Sequence, residues 1–295
     1  MEKLNDINIQ DKLTPFIFEH LAIRGGIVHL NQTLNSALQH QTLPQILKNA
    51  LGELMAASAL LASSIKMDGV LILQIQAEGN LKLLVVECDS ALKMRATAKW
   101  VGEIADTDFL TLIQNGYCLL TLHPKVGEPY QSIVPLEGRN IAEILENYML
   151  RSQQIDTKLM LTSDGTQAAG MLLQKLPEQT TVDADAWNRI NHLANTVTVL
   201  ELQNLSAQKL LTLLFSEEDI RVFDARETTF FCSCTRQKVG NMLNILGADE
   251  VTEMLNDLKQ LEVNCDFCNK LYVFDAVDAI EATQSSAALK SNTTH

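Results

Sequence analysis

Basic residues are scarce in this chain: 23 lysines and arginines stand against 36 aspartates and glutamates, a formal net charge of −13 over 295 residues. Nucleic-acid binding needs cationic surface to neutralise phosphates and release counterions, and no basic patch is visible, so that class is disfavoured. A membrane-length apolar run is also missing. The longest helical apolar stretch, Leu54 to Ile65, falls short of a bilayer span and carries Ser58, Ser63 and Ser64, so no membrane association is expected. Met1 to Gln10 has no continuous apolar core, which predicts no secretory signal and a cytoplasmic protein. No G-x-S-x-G elbow, P-loop or H-E-x-x-H occurs, and the six histidines are scattered as surface or satisfied structural residues. ATP binding therefore has no support in the sequence, and an enzyme is not expected.

What is present is an ordinary globular composition, 46% hydrophobic, long enough for two or three domains. Over residues 1–177 strand-like and helix-like segments alternate irregularly. Ile23 to Leu30 reads as a strand interrupted by Gly25-Gly26, and Leu43-Pro44 opens a helix running to about Lys66. Val70 to Gln76 and Leu81 to Glu87, joined by Glu78-Gly79-Asn80, read as a β-hairpin. Further strands are predicted at Tyr117 to His123, Tyr130 to Val134, Lys158 to Thr162 and Ala169 to Leu173, with a helix from about Asn140 to Arg151. Hairpins without a regular βα repeat indicate an α+β class. Pro177-Glu178-Gln179 then breaks the pattern. Between Asp183 and Phe215 the apolar positions recur at helical spacing, with Asp183 and Ser206 as N-cap candidates, which predicts a helical linker module over 178–231. Such a module is too small to own a large core and must pack on a neighbour.

Four of the six cysteines lie in the third segment, as Cys232-Ser233-Cys234 and, after 30 intervening residues, Cys265-Asp266-Phe267-Cys268. Two close pairs separated by a folded insert can surround one tetrahedral ion with four thiolates, the layout of a structural zinc site. The C-x-C pair is narrower than the usual C-x2-C. In extended backbone its Cα atoms stand about 6.6 Å apart, near the upper limit for a disulfide, so a Cys232–Cys234 bridge is allowed but strained. Strained bridges are the labile, regulatory ones. The cluster can thus be a redox switch between a zinc thiolate centre and two adjacent-pair disulfides, or only a staple for a small lobe, residues 232–282. Helices are predicted there at Thr235 to Leu246 and Asp249 to Gln260, and a short strand at Tyr272 to Phe274. Phe230, Phe231, Phe267, Tyr272 and Phe274 are the aromatics available to pack it. Cys88 and Cys118 sit in apolar runs and read as buried, unreactive thiols. The polar tail, 283–295, is expected to be disordered.

The cysteine pattern, with Phe274-Asp275 shortly after the last cysteine, resembles the redox-regulated heat-shock chaperones of the 33 kDa chaperonin family. Arg24-Gly25 with Val28-His29-Leu30, Leu51-Gly52-Glu53, Lys66-Met67-Asp68-Gly69, Leu84 to Cys88, Arg95 to Ala98 and Pro129-Tyr130-Gln131 through Leu136 are similar to its N-terminal motifs. Val263-Asn264-Cys265-Asp266-Phe267-Cys268-Asn269 is the most specific match. Ser132 and Ser152-Gln153-Gln154 depart from the pattern without touching the cysteines. The resemblance implies an N-terminal core and dimerisation domain and an ATP-independent holdase that is inactive when reduced and zinc-bound. Under oxidative stress Cys265 would pair with Cys268, then Cys232 with Cys234. Zinc would leave and the linker would unfold, and the active form, a homodimer, would capture unfolding client proteins. Reduction would reset it.

Two rivals make different demands. A thiol-disulfide oxidoreductase using Cys265 and Cys268 needs the first cysteine at a helix N-terminus after a strand. A constitutive interaction protein stapled by zinc would bind its partner regardless of oxidation. Four thiolates leave no open position for a catalytic water, so a zinc hydrolase is not expected.

Overall fold

The computed structural model describes residues 11–65, 68–104, 108–177, 183–246, 250–251, 253–255 and 260–276. The expected boundary at residue 178, the tail 283–295 and most of the helix expected at Asp249 to Gln260 lie outside them. Of that helix, Glu250, Val251 and Glu253–Leu255 are helical, whereas Gln260 already begins a strand. The chain divides into two compact units between Phe231 and Cys232.

The larger unit begins with β1 (Lys12–Phe18), β2 (Ile23–Leu30), α1 (Gln32–Leu38), α2 (Gln45–Ser64), β3 (Gly69–Gln76), β4 (Leu81–Asp89) and β5 (Lys93–Trp100). Then come α3 (Phe109–Leu112), β6 (Tyr117–Pro124), β7 (Tyr130–Val134), α4 (Ile141–Gln153), β8 (Thr157–Ser163) and β9 (Ala168–Lys175). Three helices follow, α5 (Ala186–Ala194), α6 (Val199–Asn204) and α7 (Ala207–Leu214), and three short strands, β10 (Ile220–Val222), β11 (Arg226–Glu227) and β12 (Thr229–Phe230). One sheet runs β10-β1-β2-β9-β8 with β11 also on β1, and the other runs β12-β5-β4-β3-β6-β7. The architecture is α+β.

Helix α2 is apolar nearly all round, as an interior helix must be, and it contacts strands of both sheets. Its Leu47, Leu51, Leu54, Met55 and Leu60 are buried in the main core. Gly52 lets it approach β8: a Cβ at that position would overlap the Ser163 side chain. The first sheet is covered on its other face as well. Phe16, Phe18, Ile23, Ile27, Met171 and Leu173 project into a second core with Ile190, Leu202, Leu210, Leu211, Leu214 and Phe215 from the helical segment. The rings of Phe18 and Phe215 meet edge to face, centroids 5.2 Å apart. Burial on both faces explains why β9 reads as an unbroken run of buried residues from Ala168 to Gln174.

Polar contacts fix α6 to this sheet. His29 Nε2 lies 3.0 Å from the Leu202 carbonyl oxygen, and Gln203 Nε2 donates to Thr162 Oγ1 at 3.3 Å. Thr198 and Glu201 form a capping box at the start of α6, and Ser206 caps α7. Glu53 of α2 lines a cavity shared with Asn140, Thr162, Thr198 and Leu202, and burial raises its carboxyl pKa to about 7.

The structure differs from the sequence reading at several points. Gly25-Gly26 does not interrupt β2: Gly25 pairs with both Phe16 and Leu173, and a side chain there would overlap the Phe16 ring. Strand β1 escapes the pattern because Pro15 demotes it. Pro15 stands where β1 changes partner from β11 to β10, and its carbonyl accepts the Phe223 amide. Asp183 is not the cap of α5, which starts two residues later behind Asp185; it accepts the Asp185 amide and pairs with Arg189. The segment expected to be helical ends in strands β10 to β12. Phe230 packs against the main core of the larger unit instead of the cysteine lobe.

Candidate metal centre

Within the second unit, α8 (Arg236–Leu246) follows the first cysteine pair, and β13 (Gln260–Asn264) and β14 (Leu271–Asp275) form an antiparallel hairpin around the second. Thr235 starts the helix: its hydroxyl accepts the Lys238 amide and its carbonyl the Val239 amide. Cys232 and Cys234 therefore end an irregular segment pinned at its C-terminal side. The second pair occupies the hairpin turn. The Cys265 amide donates to the Lys270 carbonyl, and the Asn269 amide donates back to the Cys265 carbonyl at 2.8 Å. Asn269 adopts φ 54°, a left-handed conformation that asparagine tolerates, which closes the knuckle. Behind the cysteines lies a small core including Val239, Leu243, Leu261, Tyr272 and Phe274, with the Arg236 guanidinium 4.5 Å from the Phe274 ring centroid.

All four sulfurs lie within 4.8 Å of one another and can hold a metal ion. Two approaches run between the pairs, 3.6 Å for Cys232 with Cys265 and 3.4 Å for Cys234 with Cys268. Tetrahedral zinc at about 2.3 Å from each sulfur would set sulfurs about 3.8 Å apart, so the donor set fits that ion. The environments of the sulfurs are unequal. Burial pushes the Cys234 thiol up, but hydrogen bonds from the Tyr272 hydroxyl and the neighbouring thiols outweigh it and bring Cys234 down to about 7. Burial and those neighbours push Cys268 up to about 12. The Tyr272 hydroxyl donates to Cys234 Sγ at 3.1 Å, and this bond holds the phenol proton, up to about 12. Tyr272 was legible only as a packing aromatic; the 38 residues separating it from Cys234 carry no pattern that pairs them.

Cys88 and Cys118 are buried in the larger unit. Burial raises both thiols, Cys118 to about 12, so neither is poised to react. The Cys265–Cys268 pair sits in a turn between strands, not at a helix N-terminus, which removes the geometric basis of the oxidoreductase reading. Among the described residues no helix is long and apolar enough to cross a membrane.

A two-sheet α+β body followed by a four-sulfur knuckle defines a two-unit protein with a candidate structural metal centre, and comparison with known proteins specifies its family. A sequence model described as Hsp33 protein matches residues 11–275. The 33 kDa chaperonin of Methylobacillus flagellatus is 51% identical over 289 residues, covering 97% of this chain and 99% of that one. The 33 kDa chaperonin of Chromobacterium violaceum is 45% identical over 277 residues, covering 93% and 94%. In structure the chain is similar to the 33 kDa chaperonin (heat shock protein 33 homologue) of Thermotoga maritima, with a TM-score of 0.81 at 22% identity, covering 95% of this chain and all of that one. The chain belongs to the Hsp33 family.

Proposed function

We propose that this protein is a redox-switched, ATP-independent holdase of the cytoplasm, held inactive by zinc on Cys232, Cys234, Cys265 and Cys268. The observation that carries the reading is the gathering of four thiols around one point in a unit whose own core is small. Structural zinc contributes roughly 10 to 16 kcal/mol in finger peptides, against about 5 to 15 kcal/mol for the stability of a whole domain. A lobe of this size depends on its ion. Oxidation to Cys265–Cys268 and Cys232–Cys234 disulfides would remove the thiolates that bind zinc, and the lobe would melt.

The helical segment supplies the second half of the switch. Residues 178–231 act as the linker of this reading, 1–177 as the core and dimerisation domain, and 232–282 as the switch. Helices α5 to α7 cover one apolar face of the first sheet, and their loss would bare Phe16, Phe18, Ile27, Met171 and Leu173 on the sheet and Leu210, Leu211 and Phe215 on the linker. A patch of that kind binds unfolding clients. Strand β12 ends at Phe230, two residues before Cys232, so the chain itself links the lobe to the linker. The net charge of −13 helps keep the opened form, a homodimer in this reading, soluble.

The test follows zinc release and suppression of client aggregation in one sample through oxidation and reduction. Release of one zinc per chain accompanying a gain in holdase activity, both reversed by reductant and zinc, is the expected result. Client binding indifferent to oxidation would leave the cluster a structural staple.

A further inference from the structure

We propose that Tyr272 is a positioning residue of the metal centre: its hydroxyl holds the Cys234 sulfur in place as a ligand and slows the attack of that sulfur on an oxidant. The proposal rests on the zinc-switch reading above and adds a residue to it.

The alternation of β14 turns Tyr272 and Phe274 inward, 6% and 2% exposed. In so small a core the packing need is met by a ring alone, as Phe274 shows. A buried hydroxyl costs free energy unless it finds a partner, and here the partner is the Cys234 sulfur at 3.1 Å. The ring cannot easily swing away. Tyr272 pairs with Val263 in the hairpin, and the Lys270 ammonium lies 5.3 Å from its ring centroid. The hydroxyl is thus delivered to the sulfur by the same hairpin that presents Cys265 and Cys268, although Cys234 comes from the other side of α8.

A donor on a thiolate withdraws charge from the sulfur while leaving lone pairs for a metal. Groups that hydrogen-bond to metal ligands orient them and tune the site. The same withdrawal makes the sulfur a poorer nucleophile. With hydrogen peroxide as oxidant, the Cys234 thiolate attacks one peroxide oxygen, the O–O bond breaks, and hydroxide leaves a sulfenic acid behind. A thiolate from Cys232 then displaces hydroxide from that sulfenic sulfur to form the disulfide. Two electrons pass from the two sulfurs to the peroxide, and two protons taken up convert both hydroxides to water. The first step is the one that the Tyr272 hydrogen bond retards, so Cys234 becomes fully reactive only after the hairpin has opened.

The experiment uses the full-length protein as wild type, Tyr272→Phe and, as a packing control, Phe274→Leu. Zinc affinity is read by competition with a chromophoric chelator, and the sulfur-to-metal charge-transfer band by substitution with cobalt(II). Cys234 oxidation by hydrogen peroxide is followed by differential alkylation and mass spectrometry. Tyr272→Phe is expected to bind zinc about 10- to 100-fold more weakly, to shift the cobalt band and to oxidise Cys234 several-fold faster. Phe274→Leu is expected to loosen the lobe and leave the band in place. Incorporation of 3-fluorotyrosine at position 272 preserves packing with a more acidic donor, and the band should then move the opposite way. A cobalt band and a Cys234 oxidation rate unchanged in both position-272 variants overturn the proposal while zinc binding by wild type stands. Absence of zinc binding by wild type overturns the zinc reading itself.

Discussion

The sulfur of Cys234 lies 3.4 Å from that of Cys268, 34 residues later, and Cys232 meets Cys265 in the same way at 3.6 Å. Each cysteine of one pair therefore approaches one of the other. An ion on the four sulfurs would tie the entry of the lobe to its hairpin. A single ligand lost should release both ends.

Cys268→Ser tests this directly. Zinc content should fall well below one per chain, and amide protection should collapse in α8 and the β13–β14 hairpin while β2, β3 and β9 stay protected. Hydrogen exchange with mass spectrometry reads both regions at once, and a lobe that keeps its protection would count against the metal as its main support.

Phe215→Ala should loosen the helical layer without touching a cysteine. Phe215 is 2% exposed and meets Phe18 edge to face, so its loss should cost about 3 to 5 kcal/mol. The linker would then open in the reduced, zinc-bound protein. Increased suppression of client aggregation without oxidant is the expected outcome, together with faster proteolysis between residues 183 and 219.

Thr198→Ala removes the capping box of α6 and should destabilise that helix by about 1 kcal/mol. Exchange should quicken at residues 199–204 before it does in α7, whose cap is Ser206.

Glu53 gives a pH dependence of defined sign. Its carboxyl titrates at about 7 in the fold, raised by burial from an ordinary 4.5. The folded state thus holds a proton that the unfolded chain has released. The stabilising contribution is full below pH 4.5 and is lost as pH rises through 7. Glu53→Gln should melt at a higher temperature than wild type at pH 8 and lose that advantage by pH 4.5, as calorimetry would show.

Thiol counting separates the cysteines by burial. With zinc removed by a chelator, four thiols should react promptly with an alkylating reagent. Cys88 and Cys118, raised by burial, should react only after denaturation.

Elements with a strong period were legible in the sequence: α2, the β3–β4 hairpin, β7 and α4 all fall within a few residues of their expected places. The gathering of Cys232, Cys234, Cys265 and Cys268 was legible because cysteine spacing is a direct statement about geometry. What stayed hidden depended on partners distant in sequence. Strand β5, with its Arg95-Ala96-Thr97-Ala98 run, has little intrinsic strand preference and is held by pairing with β4 and by Arg95 on Glu87. Strands β10 to β12 are too short for any alternation to show. The capping box at Thr198 was readable as T-x-x-E, but the broad helical spacing from Asp183 to Phe215 masked the break.

Strand β9 is a party wall. Ala168 and Leu172 belong to the core around α2, and Ala169, Met171 and Leu173 to the core beneath α5 to α7. Alternate residues of one strand thus belong to two separate hydrophobic cores, and in the proposed switch the second would be emptied while the first keeps the strand in place. In that switch the protein would not need to melt to change state: strands β2, β8 and β9 would remain as a floor on which the helical layer could close again.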